Sequence, residues 1–271
     1  MTSASRIILC IGIMTLSGLF GLTPAPIDNA YAEWYVAGYG GISAPQSLKN
    51  VAMDAYGLTQ DRAQFSGAFD NPPLGSVTQS FRTSDINLKQ SPLFGGKVGY
   101  FFADEGLRWL GVEIEAFTSQ PTIKRQTLST THDVTFLPNP GTEAPPATCI
   151  PGATCRVQRR FNGALALQEN SLQLITLALN VVARYPGEVF QPYVGVGVGG
   201  FYFKGSDQFN GRQIVPGLNL QAGVKILVTE EWGFFVEGKY NRATLTNFDP
   251  GFGLSAEYSA FNAVAGLAFH F

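Results

Sequence analysis

The strongest constraint on the fold is a two-residue alternation of apolar and polar side chains that recurs in eight segments. Successive side chains of a β-strand point to opposite faces, so this alternation is typical of strands whose two faces meet different surroundings. Most segments reach the ~9–11 residues that a tilted transmembrane strand requires. They lie near residues 33–42, 92–102, 109–119, 171–185, 191–203, 214–228, 232–243 and 259–271. An even number of strands without alternating helices predicts one all-β domain.

The connections between these segments alternate in length. The stretches "ADEGLR", "PGEVF" and "EE" are short, whereas 43–91, 120–170, 204–213 and 244–258 are longer. Outer-membrane barrels have short periplasmic turns and long external loops. The pattern therefore predicts a single antiparallel eight-stranded transmembrane β-barrel with long external loops and with both chain ends in the periplasm.

One segment is ambiguous between a buried helix and a strand. "LQLITLALNVVARY", residues 172–185, is too short for a membrane helix of ~18 apolar residues and is interrupted by Asn180. Its length and its neighbours favour the strand.

The composition narrows the class of protein. The chain is 45% hydrophobic and only 14% charged, against about a quarter charged in typical soluble domains. This combination suits a membrane strand protein. The net charge of −2 and the scattered Lys and Arg residues argue against a nucleic-acid partner, which would need a basic stripe.

The N-terminus has the features of a signal peptide. Arg6 precedes the apolar stretch "IILCIGIMTLSGLFGL", and Ala30 and Ala32 supply the small residues of a cleavage site. A transmembrane helix is the alternative, but the stretch is short and prolines follow it. We expect residues 1–32 to be a signal peptide and 33–271 to be the barrel domain.

Two glutamates lie two positions apart in "WLGVEIEAF", residues 109–117. On a strand they share one face, while Leu110, Val112, Ile114 and Ala116 share the other. That spacing permits an acid–base pair of carboxylates. The interpretation we favour is that they face a narrow lumen, where buried charges must be paired. The same alternation predicts lumen ion pairs among Lys97, Glu113, Glu115, Arg184, Lys225, Glu237 and Lys239, with Lys97 near Glu113 or Glu115 and Lys225 near Glu237.

Aromatic residues cluster beside the inferred periplasmic ends, where an interfacial girdle is expected. They are Trp34, Tyr35, Phe102, Trp109, Tyr185, Phe190, Trp232, Phe234 and Phe271.

The stretch "GVGVGG" satisfies a dinucleotide-binding pattern through Gly195, Gly197 and Gly200. That pattern requires a strand that leads into a helix within a βαβ unit, and no such unit surrounds it. We interpret the glycines as space inside a crowded small barrel. No cofactor is expected.

The last residues, "NAVAGLAFHF", end in an alternating stripe with Phe269 and Phe271, and the first strand reads "WYVAGYGG". With the N-terminal segment, the chain resembles the small OmpA-like or opacity-type outer-membrane barrel family, including its porin-like members. The resemblance implies that Phe269 and Phe271 form a terminal signal for the outer-membrane assembly machinery. It also implies outer-membrane lipid as a partner and the bacterial outer membrane as the location.

Cys149 and Cys155 bracket "IPGAT" in the second long loop. In an exported protein such a pair is most simply a local disulfide. A metal site would need further ligands, and His132 alone is a poor third. The flanking segments could extend strands three and four as a hairpin that this disulfide pins at its tip.

Three function classes follow. The favoured one is a structural or surface-interaction barrel whose external loops contact an unknown extracellular ligand. A small-solute porin-like channel is the alternative, although eight strands enclose a lumen that side chains fill. An outer-membrane lipid-modifying or proteolytic enzyme would need a Ser–His or Asp–His pair, and the only histidines are His132, in a loop, and His270, at the inferred periplasmic end. We expect no enzymatic activity.

Overall fold

The computed structural model describes residues 33–64, 78–103, 106–136 and 157–271. The predicted signal peptide, residues 1–32, and the predicted disulfide between Cys149 and Cys155 lie outside the described residues and stay predictions.

Eight long strands form a closed antiparallel barrel, as the alternation predicts. Each strand pairs with the next barrel strand along the chain, and the first pairs with the last. Closure leaves no unpaired barrel edge, which a lipid environment requires of a sheet. The barrel strands are β1 (Glu33–Pro45), β5 (Ser91–Phe102), β6 (Leu107–Ser119), β10 (Asn170–Arg184), β11 (Phe190–Gly205), β12 (Arg212–Leu227), β13 (Trp232–Leu245) and β14 (Leu254–His270).

The ambiguous segment 172–185 belongs to the strand β10. Its side chains alternate between buried and exposed along the whole strand. The two-residue period in burial, rather than apolar character alone, explains why it forms a strand.

The long connections contain structure that the sequence did not predict. Beyond Pro45 the chain continues as β2 (Lys49–Met53), which takes the place of β1 beside the external end of β14. The further elements are α1 (Asp54–Gln64), β3 (Thr78–Thr83), β4 (Leu88–Lys89), β7 (Thr122–Ile123), β8 (Gln126–Phe136), β9 (Val157–Leu167) and a 3₁₀ turn (Asp207–Phe209). From β14 the sheet continues in the order β2, β3, β8, β9. We call the sheet formed by β2, β3, β8 and β9 the external sheet.

The predicted hairpin above strands three and four is present as β8 and β9, which pair along their whole length. Its attachment differs from the prediction, because β8 pairs with β3 rather than extending a barrel strand. Pro121, just after β6, provides a physical reason, since proline has no N–H to donate to a continued ladder.

The outer face of the barrel is apolar and exposed. Trp34 is 46% exposed and the terminal Phe271 62%, as expected for residues that face lipid. Tyr35 is a correction to the predicted aromatic girdle: it is 4% exposed because it follows Trp34 and so points into the lumen.

The lumen contains two layers of different chemistry. The periplasmic half contains the charged residues of β5, β6 and β13 together with buried tyrosines. The external half is apolar and includes Phe201, Phe203 and Tyr258 from the barrel, with Leu48 and Met53 from the first long connection. We call these regions the polar layer and the apolar layer.

Among the described residues, no helix is both long and apolar enough to cross a membrane.

Candidate functional site

The polar layer is organised around three carboxylates that lie on two strands. Glu113 accepts hydrogen bonds from the Tyr35 hydroxyl, from Asn180 Nδ2 at 2.9 Å and from Gln221 Nε2 at 3.0 Å. Lys97 Nζ lies 3.3 Å from its Oε2. Four different strands therefore supply donors to one buried carboxylate.

Glu115 has an equivalent set of partners one step further along β6. It accepts hydrogen bonds from the Tyr39 hydroxyl and from Asn219 Nδ2 at 3.1 Å, and it forms an ion pair with Lys239. The two glutamates thus lie among cations and amide donors. This arrangement differs from an acid–base pair that faces an open cleft.

Glu237 connects the two halves of this network. Its carboxylate lies 2.7 Å from Lys97 Nζ and 2.9 Å from Lys239 Nζ, and it accepts a hydrogen bond from Tyr193 Oη at 2.8 Å. Both lysines therefore bridge two carboxylates each. All five charged side chains are at least 95% buried, so their mutual pairing offsets the cost of removing them from water.

The tyrosines fit into this layer because glycines lie directly opposite them. Tyr35 is opposite Gly99, and Tyr193 is opposite Gly223. A Cβ at Gly99 would overlap the ring of Tyr35. Glycine in these strands provides the space in which an aromatic ring lies flat across its neighbour.

Two of the predicted ion-pair residues lie elsewhere. The register places Lys225 opposite Phe235 rather than Glu237, and its Nζ is 3.1 Å from His270 Nε2. Arg184 stacks on Phe101 at 3.7 Å and donates to the backbone carbonyl of Arg108 at 3.1 Å. Both cations lie at the periplasmic end of the lumen. Inward side chains occur at every second residue of a strand, so each following inward residue lies at a different height along the barrel axis.

The glycines of "GVGVGG" lie within β11 and serve packing. A Cβ at Gly197 would overlap the side chain of Asn180, and one at Gly195 would lie 2.8 Å from Gln221 Cγ. Asn180 and Gln221 both donate hydrogen bonds to the Glu113 carboxylate. The small residues thus make room for the amides that satisfy the network.

A second candidate region is a cleft on the external sheet. Its volume is about 170 Å³, and its lining combines aromatic rings with neutral polar groups: Tyr56, Phe81, Thr130, His132, Phe161 and Asn162. His132 Nε2 lies 3.1 Å from Gln79 Oε1, and its ring packs edge-on against Phe81. We call this region the external cleft.

An exposed ion pair stabilises the hairpin beside this cleft. The guanidinium of Arg160 donates to both carboxylate oxygens of Asp133, at 2.6 and 3.0 Å. These hydrogen bonds hold the pKa of Asp133 below its ordinary value.

Within the part of the chain that the structure describes, no group of three or more His, Cys, Asp or Glu side chains could hold a metal ion. Cys149 and Cys155 are not part of that set of residues.

The family can be assigned from sequence. The family model described as the outer membrane protein beta-barrel domain matches residues 72–271. The chain belongs to this family. Its members are proteins of the bacterial outer membrane, so the closed barrel and its apolar outer face are those of an outer-membrane protein.

Solved structures of low sequence identity resemble the fold. Neisserial surface protein A is 11% identical, with 88% of this chain and 97% of that chain covered at a TM-score of 0.43. OprG of Pseudomonas aeruginosa is 14% identical, with coverage of 89% and 96% and a TM-score of 0.39. Ail of Yersinia pestis, in complex with the heparin analogue sucrose octasulfate, is 11% identical, with coverage of 88% and 99% and a TM-score of 0.39. The curated proteins contained no match to the sequence.

Sequence reasoning missed the tyrosine and amide donors of the polar layer. Tyr35, Tyr39 and Tyr193 occupy inward positions, and glycines occupy the inward positions of the strands beside them. The parity of these residues along their strands was the available signal. Their partners could not be identified because the relative shift between neighbouring strands is set by the folded barrel.

Proposed function

We propose that this outer-membrane barrel has a surface-interaction role, which the external sheet and its cleft carry out. A small-solute channel and an enzyme of the outer membrane are the two functions that this proposal rejects.

The observation that carries the proposal is the filled lumen. The polar layer joins five charged side chains across the periplasmic half, and an apolar core occupies the external half. A lumen cavity between Tyr35, Lys97 and Arg184 has a volume of about 10 Å³, which is room for about one water molecule. A lumen filled in this way supports the external sheet and offers no path for solutes.

The external sheet supports the interaction role. Residues at the external side of a rigid barrel are where a binding function is expected in such proteins. The external cleft provides rings for apolar contact, and Thr130 and Asn162 can exchange hydrogen bonds with a ligand. These chemical groups suit a neutral or weakly polar surface group of an extracellular partner.

The surroundings of the histidines argue against an enzyme. His132 lies in the external sheet beside Gln79 and Phe81, and His270 lies at the periplasmic end beside Lys225 and Tyr35. The two imidazoles therefore lie at opposite ends of the barrel, so they cannot act together in one hydrolytic site.

A cell-adhesion assay with a blocked cleft tests the proposal. Gly163 lies on the inner face of β9, where its Cβ would be 3.1 Å from Thr130 Oγ1, so Gly163→Trp places a ring in the cleft. Ala166→Trp adds the same ring to the outer face of the same strand and is the matched control. Cells displaying each protein are applied to surfaces coated with extracellular-matrix protein, neutral polysaccharide or sulfated polysaccharide.

The expected result is that at least one coating retains cells with the wild-type protein and the Ala166→Trp variant, but not those with Gly163→Trp. Equal retention of all three, or no retention above cells without the protein on any coating, would contradict the proposal.

A further inference from the structure

Two cations lie directly opposite each other on the outer face of the barrel. Lys204 of β11 pairs in register with Arg212 of β12. Both side chains are exposed and alternate with the inward residues Phe203 and Val215. They therefore project side by side from the barrel wall at its external end.

This arrangement is unfavourable without an anion. Like charges at directly opposite positions of antiparallel strands destabilise the pair. Elsewhere on the external side, Arg242 lies 2.7 Å from Glu257 and Lys89 lies 2.8 Å from Glu169. No carboxylate among the described residues forms an ion pair with Lys204 or Arg212. The described carboxylates thus leave the double positive charge of these two cations unneutralised.

The neighbouring residues place this charge at the edge of the membrane. Two residues closer to the periplasm on each strand, Tyr202 lies opposite Ile214 on one side and Ile175 on the other. Ile214 is 73% exposed, as expected for an apolar side chain that contacts lipid. Tyr202 fits the same position because tyrosine is enriched at membrane interfaces. On the level of the cations, Gln173 is opposite Lys204 and adds a third hydrogen-bond donor.

The strand length gives the same position. The 14 residue-to-residue steps from Phe190 to Lys204, at ~3.3 Å each and with a tilt of ~40°, rise roughly 35 Å along the barrel axis, which exceeds the ~25 Å apolar band of such barrels. Lys204 and Arg212 therefore lie at the level of the lipid headgroups of the outer leaflet.

The geometry points to a binding site for the phosphate of an outer-leaflet lipid between Lys204 and Arg212. The planar guanidinium of Arg212 donates two parallel hydrogen bonds to phosphate oxygens, and Lys204 supplies a second charge. The acyl chains of the same lipid lie along Ile175, Tyr202 and Ile214. A free phosphate ion would use only the charges, whereas a lipid uses both levels.

The test measures lipid binding to the refolded full-length barrel in neutral detergent micelles. Native mass spectrometry counts bound lipid during titration with phosphatidic acid, with phosphatidylcholine of the same acyl chains, and with inorganic phosphate as competitor. The double variant Lys204→Gln/Arg212→Gln removes the site. The matched control Lys124→Gln/Arg125→Gln removes one exposed lysine and one exposed arginine that precede β8. Heat-modifiable migration verifies that every variant is folded.

We expect the wild type and the control to bind one phosphatidic acid molecule, more tightly than they bind phosphatidylcholine. The affinity of the site variant for phosphatidic acid should be lower than that of the wild type by about tenfold or more. Phosphatidic acid should also raise the urea midpoint of unfolding of the wild type and the control but not of the site variant. Equal loss of binding in both double variants, or full competition by inorganic phosphate at the concentration of the lipid, would overturn the assignment.

Discussion

The polar and apolar layers fill the same lumen by different means. In the polar layer, every charged group belongs to a barrel strand, and the carboxylates of Glu113, Glu115 and Glu237 are satisfied across the barrel by side chains of other strands. In the apolar layer, barrel residues such as Phe203 pack against residues that the long connections bring in, such as Leu48 and Met53. The polar layer therefore depends on strand register, and the apolar layer on the folding of the loops.

The difference has an energetic consequence. A buried ion network contributes little net stability compared with apolar packing, but removing one of its members leaves a buried charge without a partner. An apolar core contributes in proportion to the area that it buries. The polar layer should thus be the less tolerant of single substitutions, and the apolar layer should couple the barrel to the external sheet.

The largest effect is expected from Lys239→Met. Lys239 bridges Glu115 and Glu237, so its loss leaves Glu115 without its lysine partner and leaves Glu237 to share Lys97 with Glu113, at a cost of ~3–5 kcal/mol. Lys97→Met should act in the same way. Urea unfolding in detergent micelles measures the change. Lys89→Met, which removes an ion pair between half-exposed side chains, is the control and should cost less than ~1 kcal/mol. Similar unfolding midpoints for Lys239→Met and Lys89→Met would contradict the network.

In the apolar layer, Phe203→Ala should cost ~3–4 kcal/mol because a fully buried ring is replaced by a cavity. Phe203 packs edge-on against Tyr258 with ring centroids 5.2 Å apart. The effect should spread to the external sheet, which rests on this core, and limited proteolysis should therefore cleave β2, β3, β8 and β9 faster. In the Lys239→Met variant, the protease should cleave the same sites no faster than in the wild type when both are digested without urea. Equal acceleration in both variants would remove the distinction between the layers.

A smaller effect is expected at the glycines that accommodate the tyrosines. Gly99→Ala forces the ring of Tyr35 away from Glu113, and overpacking of this kind costs ~1–3 kcal/mol. Gly38→Ala is the matched control in the neighbouring strand, because nothing lies within 4 Å of its Cβ position. Urea midpoints that fall for Gly38→Ala as much as for Gly99→Ala would show that the space opposite Tyr35 is not the reason for the glycine.

The smallest effect concerns the exposed Asp133–Arg160 pair of the external sheet. Because the pKa of Asp133 is lower in the folded protein than its ordinary value of ~3.9, the pair stabilises the hairpin at higher pH and is lost as the pH falls through the lowered pKa. Pepsin cleavage within the β8–β9 hairpin should therefore increase as the pH falls below ~4 in the wild type. Asp133→Asn should remove this step, and an unchanged pH profile would rule out the pair as its cause.

The barrel could be predicted because its determinants are local. Alternation in segments such as "LNLQAGVKILV" and the lengths of the connections give strand positions, faces and orientation without any long-range information. For the segment around Asn180 the local period was ambiguous, and its length and neighbours favoured the strand that the structure shows. The β8–β9 hairpin of the external sheet was predicted, but β2 and β3 were missed because β2 is short and pairs with β14 about 200 positions away, a pairing that no local pattern contains.

The polar layer could be predicted only as a set of residues. Inward parity selected Lys97, Glu113, Glu115, Glu237 and Lys239, and the structure brings these five together. Lys225 and Arg184 have the same parity but lie at the periplasmic end. Parity tells which side chains face the lumen, but their height depends on the shift between strands.

The central claim is that the lumen is closed and that the protein acts from its external surface. Planar-bilayer conductance of the refolded full-length protein tests this claim most directly, with an open porin as the positive control. The filled layers predict that the protein inserts without conductance steps, and that Lys239→Met remains silent wherever it is folded. Sustained, reproducible conductance steps from the wild-type protein would contradict the claim and favour the small-solute channel.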